Sequence, residues 1–196
     1  MVEPGNHTSR ELVETLVKLF ATPPHARPAH AKGLCCTGVF RPTPKATTLT
    51  RAVHMTRPET DVIIRFSNGA GNPTVPDGAP DLRGMAVRFK ISRTEWTDLV
   101  ATTIPIFPAR VPQEFLAFLQ ALMPDPATQR PDQKKVEAFV GAHPKLEAAV
   151  KLMSSPSVLA SYAQATYWPI HAFRFINEHR QEHYVRYTWR PDAGTP

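Results

Sequence analysis

Twenty-one of the 196 residues are proline, about twice ordinary usage, and they are spread along the chain rather than clumped. Each one fixes φ and removes a backbone donor, so none can sit inside a helix or a central strand. The chain must therefore fold as many short elements joined by loops, not as a polyproline tail. A hydrophobic content of 42% with 20% charged residues supplies a core, and the length suits one large domain or two very small ones. No apolar run approaches the ~18–20 residues that cross a bilayer. The start, MVEPGNHTSRELVETLVKLF, has no basic stretch leading into an apolar one and so does not read as a secretion signal. With two cysteines, the expectation is a cytoplasmic chain without a disulfide scaffold.

Periodicity fills the spaces between prolines. Thr8 or Ser9 can cap a helix to about Ala21, with Leu12, Leu16, Leu19 and Phe20 on one stripe. TGVF, TTLTRAVHM and DVIIRFS then read as strands, because they are rich in β-branched residues and separated by proline-containing loops. Residues 68–81 are a loop by composition, MAVRFKI is a buried strand, and DLVATTIPIF continues the β pattern. PQEFLAFLQALM reads as a helix, with Phe115, Phe118, Leu119 and Leu122 on one face. Further helices are expected over 131–141 and 143–153, and HAFRFIN with HYVRYTWRP as a hairpin. The fold class is α+β, in a single domain over 1–196: an N-terminal helix in 1–22, strands over 29–107, a helical insertion over 112–153 and a hairpin over 170–190.

The net charge of +6 would suit a polyanion, but the basic residues are scattered and no aromatic-interleaved basic stripe occurs. No nucleic-acid or membrane partner is expected. Gly69-Ala70-Gly71 lacks the third glycine of a dinucleotide loop and runs into Pro73, so it reads as a flexible turn. Cys35-Cys36 have neither redox nor zinc spacing and read as two small buried hydrophobes. His25 and His30 are five apart across a proline and do not share a helix face.

One constellation stands out. Arg27-Pro28-Ala29-His30-Ala31-Lys32-Gly33 leads into a strand, and Arg65 interrupts the apolar Val62-Ile63-Ile64-Arg65-Phe66-Ser67. A guanidinium in an apolar strand needs an anion, which Asp61, Asp81 or a ligand could supply. Asp81-Leu82-Arg83-Gly84 and Asp98-Leu99-Val100 follow, then Ile104-Pro105-Ile106-Phe107.

In order and spacing these motifs, with His171-Ala172-Phe173-Arg174-Phe175 and Trp189-Arg190-Pro191-Asp192, resemble the catalase superfamily. The segment Val111-Pro112-Gln113-Glu114-Phe115 is most similar to that of the short catalase-related peroxidases. The resemblance implies an antiparallel β-barrel that holds haem b, with flanking helices. It implies a peroxidase acting on hydrogen peroxide or organic hydroperoxides, a small organic electron donor, and a homo-oligomer as one possible state. By the same resemblance His30 is the distal acid–base group and Ser67 fixes its tautomer. Arg27 and Arg65 hold the propionates, and Phe107 and Phe115 flank the macrocycle. Where the family presents an asparagine that polarises peroxide, the chain places Thr103, a shorter donor that favours one-electron oxidation over dismutation. The family's proximal motif, Arg-x-x-x-Tyr-x-Asp-Thr-x-x-x-Arg, has no counterpart around Tyr162, Tyr167, Tyr184 or Tyr187. A fragment of a longer enzyme, a second chain that completes the site, and a haem-free remnant serving as an interaction module are the three readings of that gap.

Overall fold

Proline marks where several helices begin in this chain. In the computed structural model, which describes residues 4–154 and 159–195, three helices start on one. In chain order the elements are helix α1 (Pro4–Leu19), strand β1 (Gly33–Phe40), helices α2 (Ala46–Leu49) and α3 (Val53–Thr56), and strands β2 (Thr60–Asn68), β3 (Arg83–Lys90) and β4 (Trp96–Thr102). Helices α4 (Pro112–Ala121), α5 (Gln133–Ala142) and α6 (Pro144–Ser154) follow, then strands β5 (Phe173–Ile176) and β6 (Glu182–Val185). The helix starts at Pro4 rather than at a Thr8 or Ser9 cap, because proline is pre-set for a first helical turn and forfeits no bond there. Residues 1–3 of the expected N-terminal helix lie outside the described residues. Among the described residues no helix is long and apolar enough to cross a membrane.

The chain divides into two compact units, each assembled from three separated stretches. The first takes residues 1–32, 68–82 and 106–158. Within it α1 packs on α4, α4 on α5 and α5 on α6. Leu116, Phe118 and Leu119 of α4 are buried, as are Leu146 and Ala149 of α6. Helix α1 ends in a Schellman turn: Thr22 N–H donates to Val17 O at 3.0 Å and Ala21 N–H to Lys18 O at 3.2 Å. Ala21 takes the left-handed position, φ 46°, that glycine usually fills.

The second unit takes 33–67, 83–105 and 159–196. Its strands form a four-stranded sheet in the order β1-β2-β3-β4, with β1/β2 and β3/β4 antiparallel, and a separate antiparallel pair β5-β6. The expected barrel is not closed among the described residues: β1 and β4 are the sheet's two edges, and only a bridge from Thr102 to Trp168 continues beyond β4. Side chains alternate across a strand. Val62, Met85, Val87, Phe89, Leu99 and Ala101 therefore share the core face, joined by Ala165 and Tyr167.

TTLTRAVHM is not a strand. It forms α2 and α3, because local side-chain bonds outbid the β preference of its threonines. Thr47 Oγ1 donates to Pro44 O at 2.9 Å and Thr48 Oγ1 to Lys45 O at 2.9 Å. Cys35 and Cys36 are exposed rather than buried, since β1 is an edge strand.

Candidate functional site

In the first unit, Arg27 and His30 lie on the loop between α1 and β1. Arg27 is exposed and His30 half-buried. His30 adopts a left-handed backbone, φ 53°, as do Ala21, His25, Gln129 and Arg180 among the described residues. The segment is held there by the start of the 68–82 loop. His30 N–H donates to Gly69 O at 2.9 Å, Ala31 N–H to Ala70 O at 3.1 Å, and Asn68 N–H to Lys32 O at 3.0 Å.

That loop is anchored by two acids. Asp81 Oδ2 accepts from the N–H groups of Gly69 at 2.8 Å and Ala70 at 2.9 Å. Asp77 Oδ1 accepts from Asn68 Nδ2 at 2.9 Å and lies 2.8 Å from Lys32 Nζ. The two glycines of Gly69-Ala70-Gly71 serve close approach. A Cβ on Gly69 would sit 2.7 Å from Asp81 Oδ1, and one on buried Gly71 would run into the Pro28 carbonyl. Phe107 and Phe115 meet in the same unit, ring centroids 4.9 Å apart.

In the second unit, Arg65 and Ser67 stand two residues apart on β2 and so share the face opposite the core. Arg65 is half-buried and pairs in register with Cys35; Ser67 is buried and pairs with Gly33. A Cβ on Gly33 would run into the Phe66 carbonyl, so the glycine is required by the close approach of the β2 backbone; Arg65 Nη2 would lie 3.1 Å from the same Cβ. Thr103 lies past the end of β4, turned onto the backbone of Arg83: its Oγ1 accepts from Arg83 N–H at 3.1 Å, and its own N–H donates to Arg83 O at 3.0 Å. Alternation from the core residues Leu99 and Ala101 places its neighbour Thr102 on the Arg65 face.

Two tyrosines are held as neutral phenols by burial. Tyr167 is buried, its hydroxyl donates to Tyr162 O at 3.0 Å, and burial drives its pKa far above the ordinary value. Burial pushes Tyr187 up to about 12. No cluster of three or more His, Cys, Asp or Glu side chains that could hold a metal ion occurs among the described residues.

Sequence reasoning took Gly69-Ala70-Gly71 as a flexible turn and Asp81 as a partner for Arg65, and gave neither Asp81 nor Thr102 a place in the site. The parity of Leu99 and Ala101 carries the signal for Thr102. Nothing short of the folded loop announces which backbone groups Asp81 bonds.

A family profile described as Catalase matches residues 11–196. The chain is 34% identical over 165 residues to a catalase-related peroxidase of Synechococcus elongatus, covering 84% of this chain and 49% of that protein. It is 34% identical over 191 residues to a catalase-related peroxidase of Mycolicibacterium paratuberculosis, covering 97% and 60%. It is 30% identical over 171 residues to Catalase-1 of Triticum aestivum, covering 86% and 35%. The chain thus spans about half the length of the two catalase-related relatives, 49% and 60%.

Proposed function

The chain belongs to the catalase family, and from that premise we propose that it is a peroxide-handling oxidoreductase of the catalase-related peroxidase kind, with His30 as its acid–base group. The observation that carries the reading is the backbone of His30: a non-glycine residue pinned at φ 53° by two successive amide bonds, inside the stretch that matches the family. Backbone strain of this sort persists where the surroundings over-determine it, and such places cluster at functional sites.

Haem b is the cofactor this reading calls for, and the donor chemistry fits it. Guanidinium groups suit propionates through bidentate charge-assisted bonds, and that of Arg65 stands half-buried on the face of β2 opposite the core. Arg27 and Arg65 would hold the two acid arms, with Phe107 and Phe115 as the aromatic flank. Bound haem iron supplies the redox chemistry of O–O cleavage. His30 takes the proton from one peroxide oxygen and returns it to the other, because imidazole can do both near neutral pH. Ser67 fixes the imidazole tautomer. Thr103, whose hydroxyl oxygen accepts from Arg83 N–H and still carries its own proton, would donate a hydrogen bond to the peroxide.

Hydrogen peroxide or a small organic hydroperoxide is the substrate, with an organic molecule as the electron donor. The test is to express the chain with haem supplied and record the visible spectrum and peroxide turnover. A stoichiometric Soret band is expected. His30→Ala should keep that band and lose turnover by about 10²–10⁴-fold, the range of acid–base catalysis. Colourless protein sinks the haem reading in favour of an interaction module, and a fully active His30→Ala variant removes His30 from the mechanism.

A further inference from the structure

We infer that Asp81 is a positioning residue for His30 and acts through a single peptide group; the inference rests on the acid–base role proposed for His30. Asp81 lies at the end of the loop that follows β2, fifty-one positions from His30 in the chain. Its Oδ2 accepts the N–H of Ala70 at 2.9 Å. The carbonyl of that same peptide belongs to Gly69, and it accepts the N–H of His30 at 2.9 Å. A carboxylate, one peptide and the histidine amide therefore form an unbroken chain of hydrogen bonds. A negative charge on the N–H side of a peptide polarises its carbonyl and strengthens the bond made on the other side. The second bond of Asp81 Oδ2, from Gly69 N–H at 2.8 Å, fixes the bridge against rotation. Gly69 is required for this approach, since a Cβ there would meet Asp81 Oδ1 at 2.7 Å.

The consequence for His30 is directional. Its amide bond to Gly69 ties the residue into φ 53°, and the backbone angles set where Cβ and the imidazole aim. Released from that bond, the residue relaxes toward the negative φ that L side chains prefer. The imidazole then leaves its working direction although every atom of it is intact. Asp81 touches no reacting atom in this scheme. It secures an orientation.

The test begins with the haem-free chain, read by amide hydrogen exchange. Asp81→Ala should speed exchange at the His30 and Ala31 amides by about tenfold or more, while the amides of Val87 and Leu99 in the sheet keep their protection. Asp81→Asn keeps an oxygen acceptor without the charge and should give exchange between that of the wild type and that of Asp81→Ala. Gly69→Ala, which pushes the carboxylate off by a different route, should reproduce the Asp81→Ala pattern. In the haem-loaded chain Asp81→Ala should then lower kcat with little change in KM or in the Soret band, and Asp81→Asn should recover part of the loss. Unchanged exchange at His30 and Ala31 in Asp81→Ala overturns the inference, as does equal acceleration throughout the sheet. Localised exchange together with a fully active His30→Ala variant overturns the acid–base reading instead, and leaves Asp81 as the residue that sets this turn.

Discussion

Two histidines of this chain occupy constrained places for opposite reasons. His30 is held by its backbone, whereas His54 is held by its ring, which lies 4.4 Å from that of Phe89 and 6.2 Å from that of Phe40. His54 is buried, and its Nε2 has no hydrogen-bond partner among the described residues. Burial disfavours the imidazolium and lowers the pKa below the ordinary 6.5. The unfolded chain then binds more protons than the folded one below that pH, so this residue's contribution to stability is full above about 6.5 and declines as pH falls. The unfolding midpoint should drop between pH 7.5 and 5.5 by more in the wild type than in His54→Phe, which keeps the ring contacts; equal drops would refute the assignment. The two neighbouring threonines also separate at this scale. Thr103→Val removes the acceptor of the Arg83 amide and should cost about 1–3 kcal/mol of stability by urea unfolding. Thr102→Val leaves that amide its acceptor and should leave stability nearly intact.

Elements show which local signals survive in the fold. Proline at the first turn and the stripe Phe115, Phe118, Leu119 marked α4 from the sequence, and the helix stands at Pro112–Ala121. The same reasoning failed over residues 47–55, where the threonine hydroxyls bond backward to carbonyls and make helical turns. A propensity scale cannot register that competition, because it depends on where Pro44 and Lys45 place their oxygens. The reading of Cys35 and Cys36 as buried failed for a different reason. A strand's exposure follows from its place in the sheet order, and β1 lies at an edge. The central strands behave as alternation predicts, with Phe89 of β3 fully buried in contact with Phe40. Phe89→Ala should therefore destabilise the protein by about 3–5 kcal/mol in urea denaturation. A loss under 1 kcal/mol would mean that the core collapses around the gap.

At the scale of the whole molecule, the chain visits its two units alternately, three stretches to each. Neither can be released by one cut. The last stretch of the second unit brings Ala165 and Tyr167 into its core, and Tyr167 exchanges backbone hydrogen bonds with Trp189 at 2.9 and 2.8 Å. A chain ending at residue 158 should lose the cooperative thermal transition by circular dichroism; a retained transition at the same midpoint would show that these contacts contribute little. What the sequence determined by itself is what depends on near neighbours. Helix starts follow from proline, strand faces from alternation, and the family kinship from the order of His30, Arg65, Asp81 and Trp189. Tertiary structure alone decided the rest: which strand lies at the edge, which threonine shares the face of Arg65, and which peptide links Asp81 to His30. The division is physical. Periodicity and φ restrictions act within a few residues, whereas a hydrogen bond between residues 30 and 69 exists only once loops of unrelated sequence have been folded together.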